Sequence, residues 1–220
     1  MRGHYRNLLK EIYNRLYKEF GTMGWWPGET PFEVMVGAVL TQNTSWANVE
    51  KAILNLKREN LLAPKRLNKT DVLKLARIIK PAGFFNVKAK RLKSLLDFLF
   101  REYNGNLRVM RKENIRTLRR KLLNVNGVGA ETCDSILLYA LQKPIFVIDA
   151  YTKRIFSRFG IVDEDVTYEK LQSLFMKNLP RSTKLYNEYH ALIVKLGKDI
   201  CRKRPICNLC VINMLCKKHI

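Results

Sequence analysis

Four of the five cysteines of this 220-residue chain fall within its last twenty residues, spaced Cys201-x5-Cys207-x2-Cys210-x5-Cys216. Thiolates at that density are ligands for a soft metal centre, and on spacing alone both zinc and a [4Fe–4S] cluster fit. Only one Cys-x2-Cys pair is present, whereas zinc ribbons usually have two. An odd cysteine count argues against a disulfide framework and for a reducing compartment. Cys133 stands apart and reads as a packed core thiol. A second chemical signal is Gly127-Val128-Gly129, set between two helical patterns. Glycines let the backbone turn sharply, and the unpaired amides opening the next helix suit an anion such as phosphate. A third is Asp149, delivered by the apolar run Ile145-Phe146-Val147-Ile148 to the start of a helix. It reads as an N-cap, as a carboxylate that stabilises positive charge on a sugar during loss of a base, or as both.

These residues need a scaffold, and the periodicity predicts helix after helix. Apolar positions at three- and four-residue spacing mark amphipathic helices over 8–20, 70–79, 87–103, 116–123, 130–141, 150–159, 168–176 and 183–196. The segment 31–40 is apolar on most sides and reads as a buried helix; Thr44 or Ser45 caps another over 46–58. Breakers separate the runs: Gly21, Pro27-Gly28, Pro81-Ala82-Gly83, Asn104-Gly105, Pro144, Gly160 and Pro180. No pair of segments alternates with period two. The predicted fold class is all-α.

Forty-one Lys and Arg oppose nineteen Asp and Glu, a net charge of +22. An excess of this size calls for a polyanion, nucleic acid before an anionic membrane. Twelve basic residues between Lys88 and Lys121 face three acidic ones, and the tail from Lys195 carries seven against Asp199. Two such blocks resemble a groove that tracks a phosphate backbone, although charged helix faces are often simply solvated. No apolar run approaches the length of a membrane span, and the N-terminus lacks a secretory pattern. The expected location is cytoplasmic, or nuclear in a eukaryotic source.

Hairpin, apolar run and Asp, in that order within a helical and basic chain, resemble the helix-hairpin-helix (HhH-GPD) DNA glycosylases of the endonuclease III superfamily. The resemblance covers about Phe32 to Cys216. It implies that Cys201, Cys207, Cys210 and Cys216 hold a [4Fe–4S] cluster, although the first gap is one residue shorter than the family's usual six. It also implies a monovalent cation at the hairpin and Asp149 as the catalytic carboxylate. Val39-Leu40-Thr41-Gln42-Asn43-Thr44 looks like the segment that fills the gap left by an extruded base. Pro81-Ala82-Gly83-Phe84-Phe85-Asn86-Val87-Lys88 looks like a second wedge loop, with ordinary core packing the alternative for Phe84. Gln42, Asn43, Phe84, Lys88, Gly127, Gly129 and Thr132 become the expected DNA contacts. The implied architecture is two helical lobes, a central one over 31–141 and another from 1–30 and 142–220, with DNA in the cleft and the protein a monomer on duplex DNA containing a damaged base.

Bifunctional members of the superfamily keep a lysine where this chain has Glu131, and a carboxylate cannot form the Schiff base that lyase chemistry needs. The resemblance therefore implies a monofunctional glycosylase. It is nearest to the endonuclease III-like 3-methyladenine glycosylases, with Trp25, Trp26, Trp46 and Glu131 as base-pocket residues. Electron-rich rings suit a cationic alkylpurine, and core packing is the alternative for each Trp. Other readings are a mismatch glycosylase removing adenine, thymine or uracil, a bifunctional glycosylase/lyase, and a non-catalytic DNA-binding module.

Overall fold

A computed structural model describes residues 2–218. It contains α1 (Arg2–Phe20), α2 (Pro31–Leu40), α3 (Trp46–Arg58), α4 (Pro64–Lys69), α5 (Val72–Ile78) and α6 (Phe85–Tyr103). There follow α7 (Leu107–Lys112), α8 (Ile115–Leu123), α9 (Ala130–Ser135), α10 (Ala150–Arg158), α11 (Tyr168–Asn178) and α12 (Thr183–Asp199). No strand occurs among the described residues, so the expected all-α class holds.

The chain divides into two compact units, residues 26–143 and residues 1–25 with 144–220. The first unit is built around α2, whose residues from Phe32 to Leu40 are all buried. Thr30 caps it by accepting from the Glu33 amide, and Pro31 opens its first turn, the placement that suits a residue with no N–H and a fixed φ. Residues 26–30, assigned from sequence to the other lobe, belong here: Glu29 and Glu33 both pair with Lys57 of α3, at 2.6 and 3.1 Å. Helix α9 runs into a π-helical turn, Ile136–Ala140, where a single α-helix was expected. Leu141 N–H reaches back five residues to the Ile136 carbonyl at 3.0 Å, the bond that defines such a turn.

In the second unit, Phe146 stacks on Phe175 at 4.0 Å between ring centroids, with Tyr186 and Tyr189 edge-on. Leu9, Ile12 and Leu16 of α1 join this core, and the Tyr189 hydroxyl donates to the Leu9 carbonyl at 2.9 Å. The run 145–148 is buried but belongs to no helix or strand. Buried backbone groups must find partners, and side chains supply them. Gln172 Nε2 donates to the Phe146 carbonyl at 2.7 Å, and the Ile148 amide donates to the Tyr168 hydroxyl at 3.3 Å.

Candidate functional site

In the unit 26–143, the hairpin lies between α8 and α9. Gly127 has φ +83°, and a Cβ there would sit 2.2 Å from Arg91 Cγ. Both conformation and space demand glycine at this position. Gly129 differs: its φ is −84° and a Cβ would meet open space. Val128 between them is buried. The Cys133 amide makes the first bond of α9, to the Gly129 carbonyl at 2.9 Å. The amides of 130 to 132 thus have no intrahelical partner. A bidentate pair locks the flanking helices together: Arg119 of α8 donates to both carboxylate oxygens of Asp134 of α9, at 2.7 and 3.0 Å. Asp134 is fully buried.

Two loops flank the hairpin in this unit. Asn43 is exposed with φ +52°, and Phe84 is 68% exposed with φ +45°. Left-handed backbone costs a non-glycine residue about 1–2 kcal/mol, and an exposed Phe contributes no burial to offset it. Core packing is thereby removed as an account of Phe84. Gln42 turns inward: its Nε2 donates to the Gly127 carbonyl at 3.0 Å and to Thr132 Oγ1 at 2.8 Å, and Arg91 donates to its Oε1. The Gly127 carbonyl, a natural oxygen for a hairpin cation, is already one acceptor in this network.

Two expected DNA contacts need correction. Lys88 is 1% exposed and donates to the carbonyls of Leu40 and Ala82 at 2.8 and 2.7 Å, so its ammonium is spent inside the unit. Burial, helped by neighbouring Arg91, brings its pKa down to about 8. Thr132 is buried, with its hydroxyl engaged by Gln42; it braces the hairpin.

Trp26 and Trp46 meet edge-on at 5.2 Å, and Trp26 also contacts Tyr139 of the π-turn at 5.2 Å. Tyr139 carries no sequence signal beyond its place in an apolar helix. Trp25 is half-buried and belongs to the other unit. Glu131 is exposed in the first turn of α9.

In the unit containing 144–220, Asp149 is the N-cap of α10. Its Oδ1 accepts from the amide and the hydroxyl of Thr152, both at 2.7 Å. Its Oδ2 lies 3.7 Å from Nε2 of His190 on α12. Burial holds the His190 pKa below its ordinary 6.5 despite the opposing pull of Asp149, so the ring is neutral at pH 7. His190 was not found from sequence because nothing in its helical pattern distinguishes it from a core residue.

Helix α10 also grips the cysteine loop. Arg154 donates to the carbonyls of Gly197 and Cys201 at 2.8 Å, and Arg158 donates to those of Arg202 and Lys203 at 2.5 and 2.9 Å. All four C-terminal cysteines line one cavity with Ile200, Pro205 and Ile206. Burial pushes the Cys210 and Cys216 thiols up, and the neighbouring thiolates push them further. Among the described residues no group of three or more His, Cys, Asp or Glu is arranged to hold a single metal ion. Four thiols lining one cavity are the donor set of a soft metal centre, and zinc or an iron–sulfur cluster would suit them. Cys133 is fully buried elsewhere, and desolvation raises its thiol pKa far out of the reactive range.

Residues 36–181 match the model of the HhH-GPD superfamily base excision DNA repair protein. The chain belongs to this superfamily. A Methanocaldococcus jannaschii protein assigned to the DNA repair glycosylases is 51% identical over 211 residues, covering 95% of this chain and 96% of that one. Endonuclease III of Thermotoga maritima is 30% identical, covering 85% of this chain and 83% of its own. Among solved structures, an H. pylori 3-methyladenine DNA glycosylase bound to 1,N6-ethenoadenine aligns with a TM-score of 0.76 at 31% identity. That alignment covers 88% of this chain and 97% of the other. The protein is a DNA glycosylase of base excision repair.

Proposed function

We propose that this glycosylase is monofunctional and releases an alkylated purine such as 3-methyladenine from duplex DNA by hydrolysing its N-glycosidic bond. One observation carries the reading. The first turn of α9 presents Glu131 where the superfamily's bifunctional members keep a lysine, and the rest of that turn, Thr132 to Ser135, contains none. Without an amine there is no imine and no strand cleavage through it. A cationic alkylpurine is already a good leaving group and needs little acid help. The rings of Trp26, Trp46 and Tyr139 suit its charge, and Glu131 completes the proposed pocket residues of that unit.

A base must leave the duplex before its glycosidic bond is reachable. Asn43 fills the vacated position and Phe84 unstacks the neighbouring step, while the backbone amides of Ala130 to Thr132 hold phosphate. As the bond to the sugar stretches, positive charge grows there. Asp149, fixed through Oδ1 by Thr152, offers Oδ2 to that charge and orients the attacking water. Cys201, Cys207, Cys210 and Cys216 would hold a [4Fe–4S] cluster, which would offset part of the charge of the crowded thiolates and cross-link the loop that α10 grips. Protein purified without oxygen should be brown, with four iron and four sulfide per chain; stoichiometric zinc would count against the assignment. The enzyme works as a monomer on damaged duplex DNA.

The Thermotoga maritima relative favours a second reading, a bifunctional endonuclease III-like enzyme. Release assays on duplexes containing 3-methyladenine, adenine opposite 8-oxoguanine and thymine opposite guanine, each repeated with borohydride, separate the cases. Release of 3-methyladenine without a trapped adduct is expected. A robust covalent adduct, or release confined to a neutral mismatched base, would overturn the proposal.

A further inference from the structure

Lys88 is the most deeply buried cation in the hairpin unit, and nothing in the chemistry above uses it. Its two acceptors are not arbitrary carbonyls. Leu40 is the last residue of α2, and Ala82 ends the short 3-10 turn Lys80–Ala82. Carbonyls at such ends lack partners within their own helix, and an ammonium is the favoured group beside them. Asn43 follows three residues after Leu40, and Phe84 two residues after Ala82. Both sit in left-handed backbone, as does Gly83 between the 3-10 turn and Phe84. Such conformations persist only where the surroundings over-determine them. The Lys88 amide also donates to the Phe84 carbonyl at 2.9 Å, so this one residue touches the start of both loops and the root of the wedge. One turn along α6, Arg91 engages Gln42, which in turn holds the hairpin at Gly127 and Thr132.

We propose that Lys88 is a positioning residue that clamps the Asn43 and Phe84 loops in one register, so that gap filling and base unstacking occur as a single event on the DNA. The inference rests on the wedge roles given to Asn43 and Phe84 above. It predicts that Lys88 acts only through those two side chains.

The test uses the full-length protein and a duplex with a tetrahydrofuran abasic site and 2-aminopurine next to the orphan base. Insertion of the wedges unstacks 2-aminopurine and raises its fluorescence, whichever base the enzyme normally releases. Wild type should brighten the probe, and Asn43→Ala/Phe84→Ala should not. Lys88→Met should bring the change below about half of wild type and weaken affinity for the duplex, yet in the doubly substituted background it should weaken that affinity no further. Lys88→Gln, which keeps N–H donors but is shorter and uncharged, should fall between. If the Asn43/Phe84 variant brightens the probe like wild type, the wedge reading fails and the clamp with it. If that variant is dark while Lys88→Met is unchanged, the clamp alone is wrong. A Lys88→Met loss of affinity that persists undiminished in the doubly substituted background would make the lysine merely structural. Failure of both Lys88 variants to fold would do the same.

Discussion

Asp149 and the hairpin loops are held in contrasting ways. The carboxylate is fixed by Thr152, three residues along the same helix, and the core of its unit is a cluster of aromatic rings, Phe146, Phe156 and Phe175 among them. The hairpin and its flanking loops are held by polar bonds between residues far apart in sequence: Lys88 to Leu40, Gln42 to Gly127, Arg119 to Asp134. A single group that must stay put can be set by a local cap. Three separate loops that must share one register need ties between them, and those ties are buried charges and amides. One region therefore risks little stability on its chemistry, while the other stakes much more on it.

The largest effect expected from that contrast is catalytic and leaves the fold alone. Asp149→Asn keeps the size of the side chain and can still cap α10, so thermal stability should change little. Under the proposed mechanism it removes the charge that steadies the sugar, and a loss of several kcal/mol at the transition state should lower single-turnover base release by roughly a thousandfold or more. Binding to damaged duplex should survive. Near-native release by this variant would show that the carboxylate is only a cap.

In the hairpin unit the corresponding break is structural. Arg119→Met withdraws the guanidinium from a carboxylate that has no exposure to water, which costs about 3–5 kcal/mol when a buried pair is broken. Thermal unfolding should fall by many degrees, with DNA affinity reduced because α8 and α9 no longer hold the hairpin between them. A small change in both would mean that the hairpin keeps its form without long-range ties, and the contrast between the regions would collapse.

How far the sequence was legible follows the same division. Helix α2 was predicted residue for residue because Pro31 and a run of apolar residues bound it, and α3 because Trp46 follows a turn and Arg58 ends the pattern. The caps are less regular: Ser45 precedes α3 without a side-chain bond. Helices α4 and α7 were missed because six residues show less than two turns of periodicity. Their only signals are Pro64 at the first helical position and Asn106, which caps α7. Asp149 and the C-terminal cysteines could be singled out because local order and spacing mark them. The burial of Lys88 was not, since its partners are backbone carbonyls that leave no mark on composition. Tyr139 was hidden in a π-turn that periodicity reads as plain helix.

The two glycines of the hairpin sharpen the contrast at a finer scale. Gly127→Ala forces a Cβ onto the stem of Arg91 and into left-handed backbone, and should cost about 1–3 kcal/mol with a matching loss of DNA affinity. Gly129→Ala, with ordinary φ and open space, should stay within about 1 kcal/mol, the difference between glycine and alanine as an N-cap. Parallel urea melts of the two variants read the difference directly. Equal costs would mean that the hairpin is not held against Arg91.

The smallest expected effect lies beside Asp149. His190 is buried, and its pKa in the folded protein lies below the 6.5 of the free side chain. Below pH 6.5 the unfolded chain therefore binds a proton that the folded chain refuses, and stability falls as the pH drops through that window. Above pH 6.5 the contribution is complete and flat. Asp149 opposes the shift, which keeps the slope shallow. His190→Gln removes the titrating ring, so stability measured by urea unfolding between pH 7 and pH 5 should decline less steeply than in wild type. An unchanged slope would mean that the ring takes up its proton in the folded state as readily as in the unfolded chain. Asp149 would then sit beside a cation, and the positive charge growing on the sugar would compete with His190 for the same carboxylate.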